Sequence, residues 1–272
     1  MARTDTLTNF LADIATAIKA KKNSTAEIPA ANFDTEITAL SGGDNSALVK
    51  LIDRSATSIT VPDGTSKIGD YAFAGCGSLS SLVIPGSVRK IYSRIIIDCP
   101  KLKSLTIPEG VTAIEDYAFS DSSLTEISIH DTVGYIGEYA FKNCSGLTSL
   151  TIPSAVGSGS EGVFSGCSSL KTLTIPSGIL FIKPYFFANC SSLTSVTFLG
   201  NIDSVECNTA FRGCRALSQI CFPSNSRIPV LKKSETFSQC ASNFQIKVPQ
   251  ALLEEWKAAK NWSAYADKIV AI

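Results

Sequence analysis

An internal repeat of 23 residues constrains this chain more than any other feature. A dipeptide of an apolar residue and proline recurs at Val61-Pro62, Ile84-Pro85, Ile107-Pro108, Ile152-Pro153, Ile175-Pro176, Phe222-Pro223 and Val248-Pro249. His130 and Leu199 hold the proline place in two more copies. Successive spacings are 23, 23, 22, 23, 23, 23, 24 and 26 residues. A period held this long is the signature of a solenoid, and the lengthening at the end marks degenerate terminal copies.

Apolar spacing repeats inside each unit as well. Leu-x-x-Leu-x-Ile precedes the proline, as in Leu79, Leu82, Ile84 and Leu170, Leu173, Ile175. Val and Ile follow it, as in Val88 and Ile91; then come Tyr-Ala-Phe and, three residues after the Phe, a cysteine. The Leu-x-Ile alternation predicts a short strand with one buried face, ended by a proline that cannot donate to a ladder. Val-x-x-Ile-Gly predicts a second extended piece. Tyr-Ala-Phe is too short for a stable helix and reads as a helical turn. Burying one apolar side chain stabilises by ~1.5–3 kcal/mol, against ~1–2 kcal/mol per residue for ordering the backbone. A lone unit therefore cannot fold, and stacked units share one core.

The pattern Leu-x-x-Leu-x-Ile-Pro-x-x-Val-x-x-Ile-Gly-x-Tyr-Ala-Phe-x-x-Cys, over roughly residues 56–249, resembles the BspA-like, or treponemal-type, leucine-rich repeat. The resemblance implies an α/β leucine-rich-repeat solenoid, mostly short parallel strands with helical turns. It also implies recognition or adhesion at a bacterial surface, with no shared catalytic residues. About eight repeats fill residues 44–249, between an N-terminal helical segment at 1–43 and a C-terminal cap at 250–272.

Residues 5–22 read as an amphipathic helix with Leu7, Phe10, Leu11, Ile14 and Ile18 on one face. A second short helix carries Phe33, Ile37 and Leu40 before the linker Ser41-Gly42-Gly43. This segment reads either as a cap or as a docking and oligomerisation element. It also resembles the starts of tail-associated proteins from phages of gut bacteria. At the other end, Gln250 to Lys260 reads as a helix with Leu252, Leu253 and Trp256, followed by Trp262, Tyr265 and Ile269.

Lys+Arg and Asp+Glu both number 24, so no net charge draws the chain to nucleic acid. No run of about 18 apolar residues predicts a membrane span, and the start of this chain lacks the apolar core of a signal peptide. The single histidine, His130, replaces a strand-ending proline and reads as an exposed turn residue. No cofactor or metal is expected, and an enzyme, for instance a carbohydrate-active one, is the weakest of the function classes. The acids Asp98, Glu109, Glu115, Asp116, Asp121, Glu126, Asp131 and Glu138 face only Lys101 and Lys103 in their segment. They read as a solvated stripe, with calcium or partner binding as the sharper alternative. The Gly-rich stretch 155–162 lacks the Lys-Ser/Thr of a phosphate loop and reads as a loosened turn.

Seven cysteines, at 76, 99, 144, 167, 190, 214 and 240, share one motif position. They predict a buried thiol ladder used as small apolar filling, while Cys207 and Cys221 lie off it. Outward positions of the strands are mostly Ser and Thr, without aromatics or Arg, which makes that face a poor anchor. Recognition is therefore expected on turns and irregular copies: Arg212, Arg215 and Arg227 in a basic segment, and Tyr92 and Arg94 where Tyr-Ala-Phe is missing. The expected partner is a protein or glycan on a cell surface. The chain is expected to act outside the cell, on a phage particle or a bacterial surface, joined to structural proteins or to copies of itself through its N-terminal helices.

Overall fold

The computed structural model describes residues 54–157 and 159–272. The N-terminal helices proposed for residues 5–40, with Leu7, Phe10, Leu11, Ile14, Ile18, Phe33 and Ile37, lie outside them.

The described chain is a coil of stacked repeats with two ladders of parallel strands. The first ladder contains Ser58–Thr60, Ser81–Val83, Ser104–Ile107, Glu126–Ile129, Thr172–Ile175, Ser195–Phe198, Gln219–Cys221, Gln245–Val248 and Ile269–Ala271. The second contains Lys67–Ile68, Lys90–Ile91, Ala113–Ile114, Tyr135–Ile136, Phe181–Ile182, Ser204–Val205 and Val230–Leu231. Every pairing is parallel and in register by motif, as in Val196 opposite Leu173 and Ile220. The alternation is as the sequence predicts: Leu105 and Ile107 are buried, and Ser104 and Thr106 are exposed.

Inside runs a column of phenyl rings. Phe119, Phe141, Phe164, Phe187, Phe211 and Phe237 follow one another at centroid distances of 5.4, 5.7, 6.0, 5.2 and 5.0 Å. These steps sit close to the ~4.8 Å rise between parallel strands, so each coil contributes one ring to a continuous stack. Trp256 and Trp262 end the core: both are buried, and Phe222 packs on each. The cap also closes the outer side of the second ladder. Asn261 Nδ2 donates to Leu231 O at 2.6 Å and Trp262 Nε1 to Pro229 O at 2.7 Å. The expected C-terminal helix is shorter than the sequence suggests, Leu253–Ala258, and the chain returns to the sheet as Ile269–Ala271.

A third edge joins the two ladders, and it is not helical. Through the coils from Tyr71 to Asn189 its turns carry two left-handed residues each. One row is Tyr71, Arg94, Tyr117, Tyr139, Gly162 and Tyr185, with φ of 58, 50, 57, 53, 59 and 57°. The other is Gly75, Asp98, Asp121, Asn143, Gly166, Asn189 and Gly213, each just before the cysteine or serine place. Gly, Asn and Asp are the residues that tolerate this region, which explains the second row; tyrosine in the first is costly and must be held by its surroundings. The holding is done by backbone: Phe73, Phe119, Phe141 and Phe164 each donate to the next coil at 2.8–3.0 Å.

One coil departs from the rest. Thr148–Thr151 carries the strand motif yet forms no strand, and both ladders stop on either side of it; the first ladder is also unpaired between Ser81–Val83 and Ser104–Ile107, where the second runs on. Thr148 N and Lys171 N reach their neighbours at 3.4 Å, where Thr125 N and Thr194 N reach theirs at 2.8 Å. The Gly-rich stretch that follows supplies the reason, because it replaces the segment that should build the second ladder. Across this coil the third edge remains intact, with Asn143 N to Ser165 O at 2.7 Å and Gly166 N to Ala188 O at 2.7 Å.

Candidate functional site

The strand face is mostly hydroxyls, and those at the start of four strands are engaged with the chain's own backbone. Ser80 Oγ donates to Thr57 O, Thr125 Oγ1 to Lys103 O, Thr194 Oγ1 to Lys171 O and Ser218 Oγ to Thr194 O, at 3.0–3.1 Å. One correction applies here. Thr148, Ser149 and Thr151, expected on a strand, are exposed but belong to the interrupted coil.

The third edge differs in chemistry. Tyr71 and Tyr185 are exposed, and Tyr117 and Tyr139 are half-buried. Tyr117 and Tyr139 stack at 5.3 Å with 15° between planes. Arg94 occupies the tyrosine place of its coil, so the turn is kept there although the Tyr-Ala-Phe sequence is missing, as the sequence shows. Arg94-Ile95-Ile96 takes its position, with both isoleucines buried. The guanidinium donates to Tyr71 OH at 3.1 Å and lies 5.3 Å from the centre of the Tyr117 ring. Lys142 sits 5.3 Å over the Tyr139 ring. Gly162 leaves a gap in the row: a Cβ there would lie 2.1 Å from Tyr139 Cε1. Tyr139 hydroxyl instead bonds Glu161, and burial together with this acid raises its pKa.

Acids are threaded through the same edge. Asp121 accepts from Ser120 Oγ at 2.6 Å and from Asn143 Nδ2 at 2.8 Å. Burial works to raise its pKa, but these bonds and the charges of Arg94 and Lys142 hold it below the usual carboxylate range. Asp116 Oδ1 accepts the Glu138 N–H at 2.7 Å and Asp70 Oδ1 the Ser93 N–H at 2.9 Å, so both act as ties between coils. Among the described residues no group of three or more His, Cys, Asp or Glu is placed to hold a metal ion. His130 is exposed, as expected; its Nδ1 accepts the Thr132 N–H at 3.2 Å.

The expected basic set divides. Arg212 and Arg215 are exposed, form no ion pair within the described chain, and flank the left-handed Gly213 on the third edge. By repeat position Arg212 stands in the row of Lys142. Arg227 lies on another edge and is paired with Asp203. Lys232 is likewise paired with Glu206, at 2.6 Å. Glu115, counted in the acidic segment, is paired with Lys90 at 2.9 Å. These pairs bridge adjacent coils, so charge windows drawn along the sequence cut through them. Tyr92 is half-buried beside the second ladder rather than on the tyrosine row.

The thiols show what the sequence missed. Cys99, Cys144, Cys167, Cys190 and Cys214 donate to the carbonyls of Phe73, Phe119, Phe141, Phe164 and Phe187, one coil earlier, at 3.0–3.1 Å. They are hydrogen-bonding groups and not only apolar filling. Ser122 holds the same place in its coil and lies 3.3 Å from Cys144 Sγ. A serine in that slot was the available signal.

The sequence profile of the BspA type Leucine rich repeat region matches residues 52–171 and 112–243. A leucine rich cell surface protein from Faecalibacterium prausnitzii is 25% identical, covering 66% of this chain and 62% of its own, with a TM-score of 0.45. A leucine-rich repeat protein from Bacteroides ovatus is 24% identical over 80% of this chain and 66% of its own, with a TM-score of 0.47. The T. pallidum leucine-rich repeat protein is 27% identical over 53% of this chain and 73% of its own, with a TM-score of 0.49. The chain thus spans slightly under two thirds of the length of the first two. No curated protein matches the chain.

Proposed function

The chain belongs to the BspA-type leucine-rich repeat family, and from that premise we propose that it is a non-catalytic recognition module acting outside the cell. Its partner is a protein or a glycan on a cell surface. One observation carries this reading: the third edge presents Tyr71, Arg94, Tyr117, Tyr139, Tyr185, Arg212 and Arg215, while the strand face presents mostly serine and threonine, four of which donate to the chain's own backbone. Tyrosine and arginine are enriched in binding hot spots, the first for its large rigid ring and the second for its planar set of five donors; serine and threonine are under-represented. Under this reading the solenoid is displayed on a larger assembly, a phage tail, and residues 5–40 attach it. A second reading, a bacterial surface adhesin, is favoured by the family itself.

Two measurements test this. The full chain is applied to arrays of bacterial surface glycans and extracellular-matrix proteins, beside Arg212→Ser with Arg215→Ser, and beside Ser81→Ala, Ser104→Ala and Ser149→Ala. The arginine pair should weaken attachment more, and the loss should shrink as salt shortens the screening length from ~10 Å at 0.1 M. A greater loss from the serine set would move recognition to the strand face. Electron microscopy with an antibody to the solenoid separates particle from cell surface.

A further inference from the structure

The cap meets the last coil along a groove of about 450 Å3, lined by Ile228, Pro229, Val230, Leu231, Lys232, Ala259, Lys260, Asn261 and Trp262. Its volume falls within the ~300–1,000 Å3 usual for small-molecule sites, and such sites favour the joints between structural units.

Three features define what fits. Two backbone acceptors of the floor are taken, because Asn261 Nδ2 holds Leu231 O and Trp262 Nε1 holds Pro229 O. Between them the floor offers chiefly the apolar side chains of Ile228, Val230 and Ala259. Val230 stands 59% exposed, among the most exposed large apolar side chains of the described chain. Burying an aliphatic group against it, Ile228 and Ala259 is favourable. The rim is cationic. Lys232 is held by Glu206, but the exposed Lys260 has no ion-pair partner among the described residues, and no acid lines the groove.

We propose that this groove binds a small apolar carboxylate, with its hydrocarbon on Val230 and Ala259 and its carboxylate at Lys260. The proposal is independent of the recognition edge, since Arg212, Arg215 and the tyrosine row take no part in it. Asn261 supports it by its backbone: a left-handed φ of 66° turns the chain sharply between Lys260 and Trp262 and so opens the space.

The test is a ligand-observed NMR titration of the full chain with octanoate, and in parallel with the neutral octanamide. Octanoate should saturate one site. Octanamide, and octanoate on Lys260→Glu, should each bind about fivefold more weakly, the upper end for an exposed ion pair. Val230→Glu should abolish binding, while an unchanged circular-dichroism melt for both variants shows that the fold survives. Lys260→Ala serves as the milder second variant and should show an intermediate loss. Non-saturable binding, equal affinity for acid and amide, or indifference to both positions would overturn the proposal.

Discussion

The thiol of Cys167 donates to the carbonyl of Phe141, 26 residues earlier in sequence and one coil away in space, at 3.1 Å. The same carbonyl also accepts the Cys144 N–H at 3.1 Å, which belongs to its own turn. One acceptor thus closes a turn and ties it to the next coil.

Replacing Cys167 by valine removes the donor and leaves an apolar side chain, one methyl larger, in its place. The expected loss is ~0.5–1.5 kcal/mol in denaturant unfolding, the net worth of one buried hydrogen bond. Cys167→Ser should cost less than valine, since Ser122 already serves in that row. Equal losses would show that the thiol acts by volume alone.

Native-state thiol labelling should find Cys207 and Cys221 fast, because both are partly exposed and lie off the ladder. Cys240 is half-buried and should follow at an intermediate rate. Cys144, Cys167, Cys190 and Cys214 should remain unlabelled until unfolding, because they are buried and hydrogen-bonded. Rapid modification of two or more of these four would show that the column opens in the native state.

Much of this was legible in the sequence because the period, the strand alternation and the cysteine row are all local patterns. Three things were not. The break at Thr148–Thr151 is invisible in its own residues, which match the motif; it is imposed by the Gly-rich stretch several positions later. The pairing of Arg227 with Asp203, and of Lys232 with Glu206, joins residues 24 and 26 apart, so a charge count along the chain separates partners. Arg94 looked like a lost motif because it shares no chemistry with tyrosine. What it keeps is the left-handed backbone and the place between Tyr71 and Tyr117.

Stability should fall on the alkaline side through the thiol column. Burial pushes the Cys214 thiol from 9.0 up to about 12, and burial likewise raises Cys190 and Cys240. A raised folded-state value means that the folded chain keeps protons which the unfolded chain releases. This contribution is complete below pH 9 and is lost as the pH climbs toward 12, at up to ~1.4 kcal/mol per pH unit for each thiol. Urea midpoints between pH 8 and 11 should show the decline, and Cys214→Ser should make it shallower. In acid the order reverses: Asp121 and Glu206 are held low, so their contribution is present near neutrality and is lost as pH drops below about 4.

Leu173 is 3% exposed on an intact strand, and Leu150 is 9% exposed on the interrupted coil. Each to alanine should destabilise, Leu173 by ~2–5 kcal/mol. Leu150 should fall at or below the low end of that range, since its surroundings can close around the loss. Denaturant midpoints for the two variants check the order; a larger loss at Leu150 would mean that the interrupted coil is as tightly packed as its neighbours.

The interrupted coil also makes the molecule a beam of uneven stiffness. A parallel-stranded column resists bending through the rows of hydrogen bonds along its sides, and around Thr148–Thr151 two of the three rows are reduced to long contacts of 3.4 Å. Sideways force applied at the far end concentrates there, and the column flexes about its turn edge as a strap hinge does about its pin. A solenoid built this way can tilt one half against the other without melting a single intact coil.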